Sequence, residues 1–485
     1  MTMTDNEKKL IQQAEDKVKE CESKVESDPH RLTYHLMAPV GLINDPNGWI
    51  QWRGTYHMFY QWNPFDTGHG AKFWGHYTSK DLVNWKHEKI ALSPSEWYEK
   101  NGCYSGSAVD LDGKLTLFYT GNVKDEEGNR ESYQCVAQSV DGIHFEKKGP
   151  VIAELPEGYT AHFRDPKVWK EQGEWYMVIG AQTKDLKGHA LLYRSEDGKS
   201  WSFLGPVAGS GVPPLHDFGY MWECPDLFSL EDKKVLIVSP QGLQPEGMHY
   251  HNTYQAGYFI GELDLAAPKF HHGAFDELDR GFEFYAPQTT VDEKGRRIMI
   301  GWMGVPEQQE DLHPTIENGW IHCLTLPREL KRKGCRLIQV PVDDLEALRS
   351  GEVSVEKATV EHQGVTFEGV SGDTLEIEIR DFTNLPAYFE IEFRREARLI
   401  YDREARVMTF ERKSFANRLT ERRQCHLEEL RSLRIFLDTS SAELFVNGGE
   451  EVFTARYFPG PHEKNIQFSS SEPTSFSLKK WTLGL

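Results

Sequence analysis

The sequence has no run of apolar residues approaching the ~18 needed to cross a bilayer as a helix, which excludes a membrane-embedded helical protein. Its first thirty residues are polar and charged and lack the apolar centre of a secretory leader, so the chain is expected in the cytoplasm. Cysteine is sparse: seven residues, an odd number with no close pair, which points to neither a disulfide framework nor a zinc site. The 19 histidines are scattered without ligand spacing, so no metal and no cofactor is expected. Positive charge is also in deficit. Lys+Arg number 55 against 75 Asp+Glu, a net −20 that repels polyphosphate and argues against a nucleic-acid partner.

Aromatic residues are plentiful at 12%, including 13 Trp and 19 Tyr, whose flat faces and polar edges suit sugar binding. Residues 1–30 form an N-terminal helical extension, with the helix itself expected over Leu10–Val25. The sequence then begins to repeat. Short apolar runs start at Tyr56, Leu115, Trp175, Val235 and Arg297, separated by 59, 60, 60 and 62 residues, each after a turn rich in Gly, Asp or Lys. A second recurring element, Ser-x-Asp-(Gly/Leu)-x-x-aromatic, runs Ser79–Trp85, Ser139–Phe145 and Ser195–Trp201.

Five units of about sixty residues, each several short strands, predict a five-bladed β-propeller over residues 31–340. Residues 341–350 read as a linker with a short helix. Period-two strands at 374–380, 388–393, 433–438 and 442–446 then predict a β-sandwich over 351–485. The expected fold is therefore all-β, a propeller followed by a C-terminal sandwich, with the latter as the candidate surface for a homodimer contact.

The repeats open on carboxylates: Asn44-Asp45-Pro46-Asn47-Gly48, Arg164-Asp165-Pro166 and Trp222-Glu223-Cys224-Pro225. If these segments are equivalent innermost strands, Asp45, Asp165 and Glu223 converge on one axial pocket. Three carboxylates there suit glycoside hydrolysis: one attacks the anomeric carbon or activates water, and a second, kept protonated by its neighbours' charge, protonates the leaving oxygen. The third stabilises positive charge. Arg164 is expected to keep the adjacent Asp165 ionised.

In order along the chain, Asn44–Gly48, Phe118-Tyr-Thr-Gly121, Phe163–Pro166 and Glu223-Cys224 resemble the signature motifs of glycoside hydrolase family 32, the invertases, sucrose-6-phosphate hydrolases, inulinases and levanases. Trp74-Gly-His76, Tyr104–Ala108, Tyr285–Gln288, Gly301–Met303, Thr325–Leu330 and Glu443–Gly448 extend the resemblance over nearly all the chain after His30. It implies a retaining β-fructofuranosidase acting on a small sugar, sucrose or sucrose 6-phosphate, with exo-acting hydrolysis of fructans as the alternative and a non-catalytic sugar-binding propeller as a remote one. By the same resemblance Asp45 is the nucleophile, Glu223 the general acid/base and Asp165 the transition-state stabiliser. Asn44, Gln61, Trp74, Tyr104, Ser105, Arg164 and Trp302 would surround the fructosyl ring. Many relatives carry Trp before Asn-Asp where this chain has Leu42-Ile43, so that aromatic contact at the pocket wall is either missing or supplied by Trp49 or Trp62. A phosphate on the substrate would meet Lys72, His69 or a histidine of His249-Tyr-His251.

Overall fold

The computed structural model describes residues 3–485; Met1 and Thr2 of the expected N-terminal extension lie outside the described residues. The helix runs Asp5–Glu26, five residues earlier than the apolar pattern predicts. Thr4 caps it by accepting from the Glu7 N–H at 3.2 Å, and Asp5 and Glu7 sit favourably in its first turn. Leu10, Ala14, Val18, Cys21 and Val25, spaced three or four apart, form the stripe that packs onto the propeller.

Five sheets follow, each with its first strand innermost. Blade one comprises Gly41–Trp52, Thr55–Asn63, Phe73–Ser79 and Trp85–His87; blade two, Cys103–Leu111, Lys114–Lys124, Arg130–Ser139 and Glu146–Ile152. Blade three is Tyr159–Glu171, Glu174–Thr183, Gly188–Ser195 and Ser202–Gly209, and blade four begins Met221–Leu230, Lys233–Gln241, Gly257–Asp264 and Lys269–His272. Blade five is Tyr285–Val291, Arg297–Trp302, Arg328–Lys333 and Arg336–Pro341. The ring closes where Trp320–Ile321 pairs in parallel with Gly41 and Leu42 of blade one.

The Ser-x-Asp repeat is the turn between the third and fourth strands. Asp81, Asp141 and Asp197 each accept two backbone N–H bonds of 2.8–3.0 Å from the residues two and three further on. Blade four makes the same turn with Asp264, where the serine and the aromatic are missing.

Beyond a 3₁₀ turn at Asp343–Leu348, a six-stranded and a five-stranded sheet stack face to face around their own apolar core. The seam with the propeller is charged and buried. Arg328, fully buried, donates to Glu443 at 2.6 and 3.1 Å, to Asp279 at 3.1 Å and to Thr454 at 2.6 Å. His35, just ahead of blade one, bridges Asp438 at 2.9 Å and Glu443 at 3.0 Å.

With a carboxylate on each ring nitrogen, His35 is an imidazolium. Burial alone would lower its pKa, but the bonds to Asp438 and Glu443 outweigh it and raise the group to about 9. A raised pKa contributes stability that is complete below the unfolded value, near 6.5, and is lost as pH rises through about 9. Denaturant unfolding should therefore show stability falling between those limits by on the order of 3 kcal/mol. His35→Gln should flatten that slope.

Candidate active site

Each innermost strand breaks its pairing register at the same height, between residues 43 and 46, 104 and 106, 164 and 167, 223 and 226, and 285 and 288. The bulges carry Asp45-Pro46, Asp165-Pro166, Cys224-Pro225 and Ala286-Pro287. Proline cannot donate to a ladder and so belongs at such a break. Asp165, Cys224 and Ala286 all have left-handed backbone, with φ of 68°, 47° and 46°, strain of the kind held at functional sites. Blade two has Ser105-Gly106 instead. Gly106 is required there because a Cβ would meet the Phe118 carbonyl oxygen at 1.9 Å.

The bulges sort the axial side chains into two tiers. Counted back from the proline at each break, the upper tier is Asn44, Arg164, Glu223 and Tyr285 and the lower is Asp45, Asp165, Cys224 and Ala286, with Tyr104 and Ser105 in those places ahead of Gly106 in blade two. The three carboxylates converge, but not from equivalent positions: Cys224, not Glu223, matches Asp45 and Asp165. That offset corrects the expected pairing of Arg164. Arg164 lies on Glu223's tier and donates to Glu223 Oε1 from Nε at 2.9 Å and Nη2 at 2.7 Å, not to Asp165. Tyr285 and Gln241 donate to the other Glu223 oxygen at 2.7 and 2.9 Å.

In the lower tier Ser105 donates to Asp45, and the Cys224 N–H to Asp165 at 2.9 Å. The Cys224 thiol lies 3.6 Å from an oxygen of each aspartate. Burial and then the surrounding carboxylates push its pKa well up, so it remains a neutral donor.

The electrostatics follow the tiers. Burial favours protonated Glu223, but Arg164 and Tyr285 outweigh it and hold the carboxyl below the usual range. Asp165 has no hydrogen bond from Arg164; burial and the Glu223 charge raise it to about 7, only partly offset by the charge of Arg164. Asp45 is raised by burial too, against the bond from Ser105. As pH falls, the carboxylate cluster thus takes up a proton at about pH 7, on the Asp165 side.

Above the tiers opens a cavity of about 840 Å³. Asn44, Asp45, Gln61, Tyr104, Arg164, Asp165, Glu223 and Trp302 line it. Ser105 sits directly beneath, bonded to Asp45 and Gln61. Trp74 does not reach the cavity: it is fully buried and its indole N–H holds the Tyr104 carbonyl from behind at 3.1 Å. Trp49 and Trp62 are core as well, donating to the Ile298 and Val40 carbonyls. The aromatic wall is instead Trp302 with His69 edge-on at 6.3 Å, facing Tyr220 and Tyr254. His249 and His251 lie outside the cavity, bonded to Glu277 and the Gly247 carbonyl.

Three polar atoms on this wall are buried without a partner among the described residues: Asn44 Oδ1, Lys72 Nζ and Trp302 Nε1. Burial lowers Lys72 to about 7, partly offset by Asp45 and Glu310. Acceptors and donors left open around carboxylates and an indole are the complement of a polyhydroxylated ring.

Residues 35–341 match the N-terminal domain of glycosyl hydrolases family 32, and residues 344–482 match the family's C-terminal domain. The chain belongs to that family and is a glycoside hydrolase. It is 53% identical to a sucrose-6-phosphate hydrolase of Bacillus subtilis, over 99% of this chain and 100% of that one. Among solved structures it resembles the Bombyx mori β-fructofuranosidase (36% identity, TM-score 0.85, 98% of both chains). The sucrose-6-phosphate hydrolase from Lactobacillus gasseri is similar too (30% identity, TM-score 0.87, 97% of this chain and 96% of that one).

His69 is a site residue that its sequence gave no reason to place in the aromatic wall. It is fixed by Glu310, which accepts from it at 3.1 Å and from His322 at 2.9 Å. Glu310→Ala should free His69 and loosen the wall, raising KM for a fructoside roughly tenfold while kcat changes less.

Proposed function

We propose that the protein is a retaining β-fructofuranosidase that cleaves sucrose 6-phosphate and sucrose. The observation that carries this reading is the open cavity in which Asp45, Asp165 and Glu223 meet beside three unpartnered polar atoms. It is supported by the relatives named as sucrose-6-phosphate hydrolases, and by a variant of the Bombyx mori enzyme solved in complex with sucrose (35% identity, TM-score 0.85, 98% of both chains). A phosphate ester does not cross a bilayer unaided, so a disaccharide phosphorylated on entry stays in the cytoplasm, which is where this reading places the enzyme that consumes it. No described helix is long and apolar enough to cross a membrane.

In this reading Asp45 attacks the anomeric carbon of the fructosyl unit while Glu223 protonates the glycosidic oxygen, releasing the glucosyl half. Glu223, now a carboxylate, takes a proton from water, and the hydroxide displaces Asp45 to release fructose. Asp165 accepts ring hydroxyls and stabilises the oxocarbenium-like transition state. Those hydroxyl donors lower the Asp165 pKa, so substrate binding sends the shared proton towards Glu223. The Lys72 amine and the Trp302 N–H, on the Asp45 flank, meet the fructosyl hydroxyls.

Purified protein should release equimolar glucose 6-phosphate and fructose from sucrose 6-phosphate. Asp45→Asn should lower kcat by at least about a thousandfold with KM little changed. A wild type that bound these sugars without hydrolysing them would overturn the assignment.

The pH profile of kcat/KM should fall as pH rises through about 7, where the cluster loses its proton. Tyr285→Phe removes a bond that stabilises ionised Glu223, raising that pKa, so the alkaline limb should move to higher pH. Ser105→Ala removes a donor from ionised Asp45 and should move the acid limb upward.

A further inference from the structure

One rim of the cavity is basic in an otherwise acidic molecule. Lys124 and Arg130 close the hairpin between the second and third strands of blade two and stand directly opposite each other in the ladder. Like charges so placed repel, and the neighbouring acids do not relieve them. Asp125 and Glu127 turn back onto Asn129 within the hairpin. Among the described residues neither Lys124 nor Arg130 forms an ion pair. Arg130 is held instead by Asn122 Oδ1 at 2.9 Å, with its guanidinium over the Tyr104 ring at 5.6 Å.

His162 completes this wall. Arg164 donates to its Nδ1 at 3.0 Å, which leaves the ring hydrogen on Nε2 as a free donor. Burial first, then the charges of Arg164, Arg130 and Lys124, lower its pKa to about 4. Three positive side chains surround a neutral imidazole, and of them only Arg164 is answered, by Glu223 and the charge of Asp165, so that Arg130 and Lys124 leave a pocket complementary to a dianion.

We propose that Arg130, Lys124 and His162 bind the phosphate monoester on the leaving glucosyl group. The placement rests on the reading of Glu223 as the group that protonates the leaving oxygen. Glu223 bonds Arg164, and Arg164 bonds His162, so this wall adjoins the acid and therefore the departing sugar. Lys72 and His69, the other basic groups of the cavity, lie on the flank of Asp45 and Trp302, where the fructosyl ring sits. The facing rim carries Glu307, bonded to Tyr254 at 3.0 Å, and would repel the phosphate. Arg130 and Lys124 thus set the preference for the phosphorylated disaccharide over the plain one.

The test is the ratio of kcat/KM for sucrose 6-phosphate to that for sucrose, in wild type, Arg130→Met, Lys124→Met and the double variant. Calorimetric titration of each with glucose 6-phosphate and with glucose accompanies it. The expected result is a ratio above about ten in wild type that falls at least about tenfold in the double variant, through KM rather than kcat. Affinity for glucose 6-phosphate falls in parallel and that for glucose does not, with Arg130→Lys intermediate. A wild-type ratio near one, or a double variant that loses both substrates alike, overturns the phosphate site and leaves the fructofuranosidase standing. If wild type hydrolyses neither sugar, the proposed function fails; the titrations still decide this site, which stands only if glucose 6-phosphate binds wild type and not the variant.

Discussion

The bulge at a common height in five inner strands governs everything built above it. A regular strand would alternate its side chains and send only every second one towards the axis. The extra residue at each break turns two consecutive side chains inward, which is why the axis carries stacked tiers and not a single ring. The proline after four of the five bulged residues keeps the break from healing into a ladder, and Gly106 serves the fifth by giving up a side chain altogether.

Two tiers permit a division of labour that one ring could not. The upper tier places a cation and a phenol on Glu223; the lower gives Asp45 a hydroxyl and both aspartates a thiol contact. Three carboxylates within one cavity therefore have three environments, and their affinities for a proton spread apart. Acid and base chemistry on a sugar needs that spread.

Much of this was legible in the sequence, because repetition survives as spacing. The sixty-residue period marked the second strand of every blade, and the segment ahead of each marked the inner strand that brings the three carboxylates to one axis. The one-residue offset between Asp165 and Glu223 is carried only by the prolines, Asp165 standing directly before Pro166 and Glu223 two residues before Pro225, and apolar periodicity leaves no trace of the bulge that gives it meaning. Arg164 was accordingly assigned to its chain neighbour and not to the residue beside it in space. Trp74 failed for a related reason: an aromatic beside a functional strand packs equally well behind it, and only the third dimension shows which. Arg130, Lys124 and His162 come from two blades, and no spacing unites them. The expectation that a histidine of His249-Tyr-His251 reaches the cavity failed because those side chains are already satisfied by Glu277 and Gly247.

The buried seam between the two domains also constrains how this architecture can change. Arg328 belongs to the propeller, yet one of the carboxylates that neutralise it, Glu443, belongs to the sandwich. Stripped of the second domain, the propeller would keep a guanidinium short of counter-charge on a face never shaped for water. The sandwich is in effect a macromolecular counterion, and a lineage could discard it only after replacing the arginine.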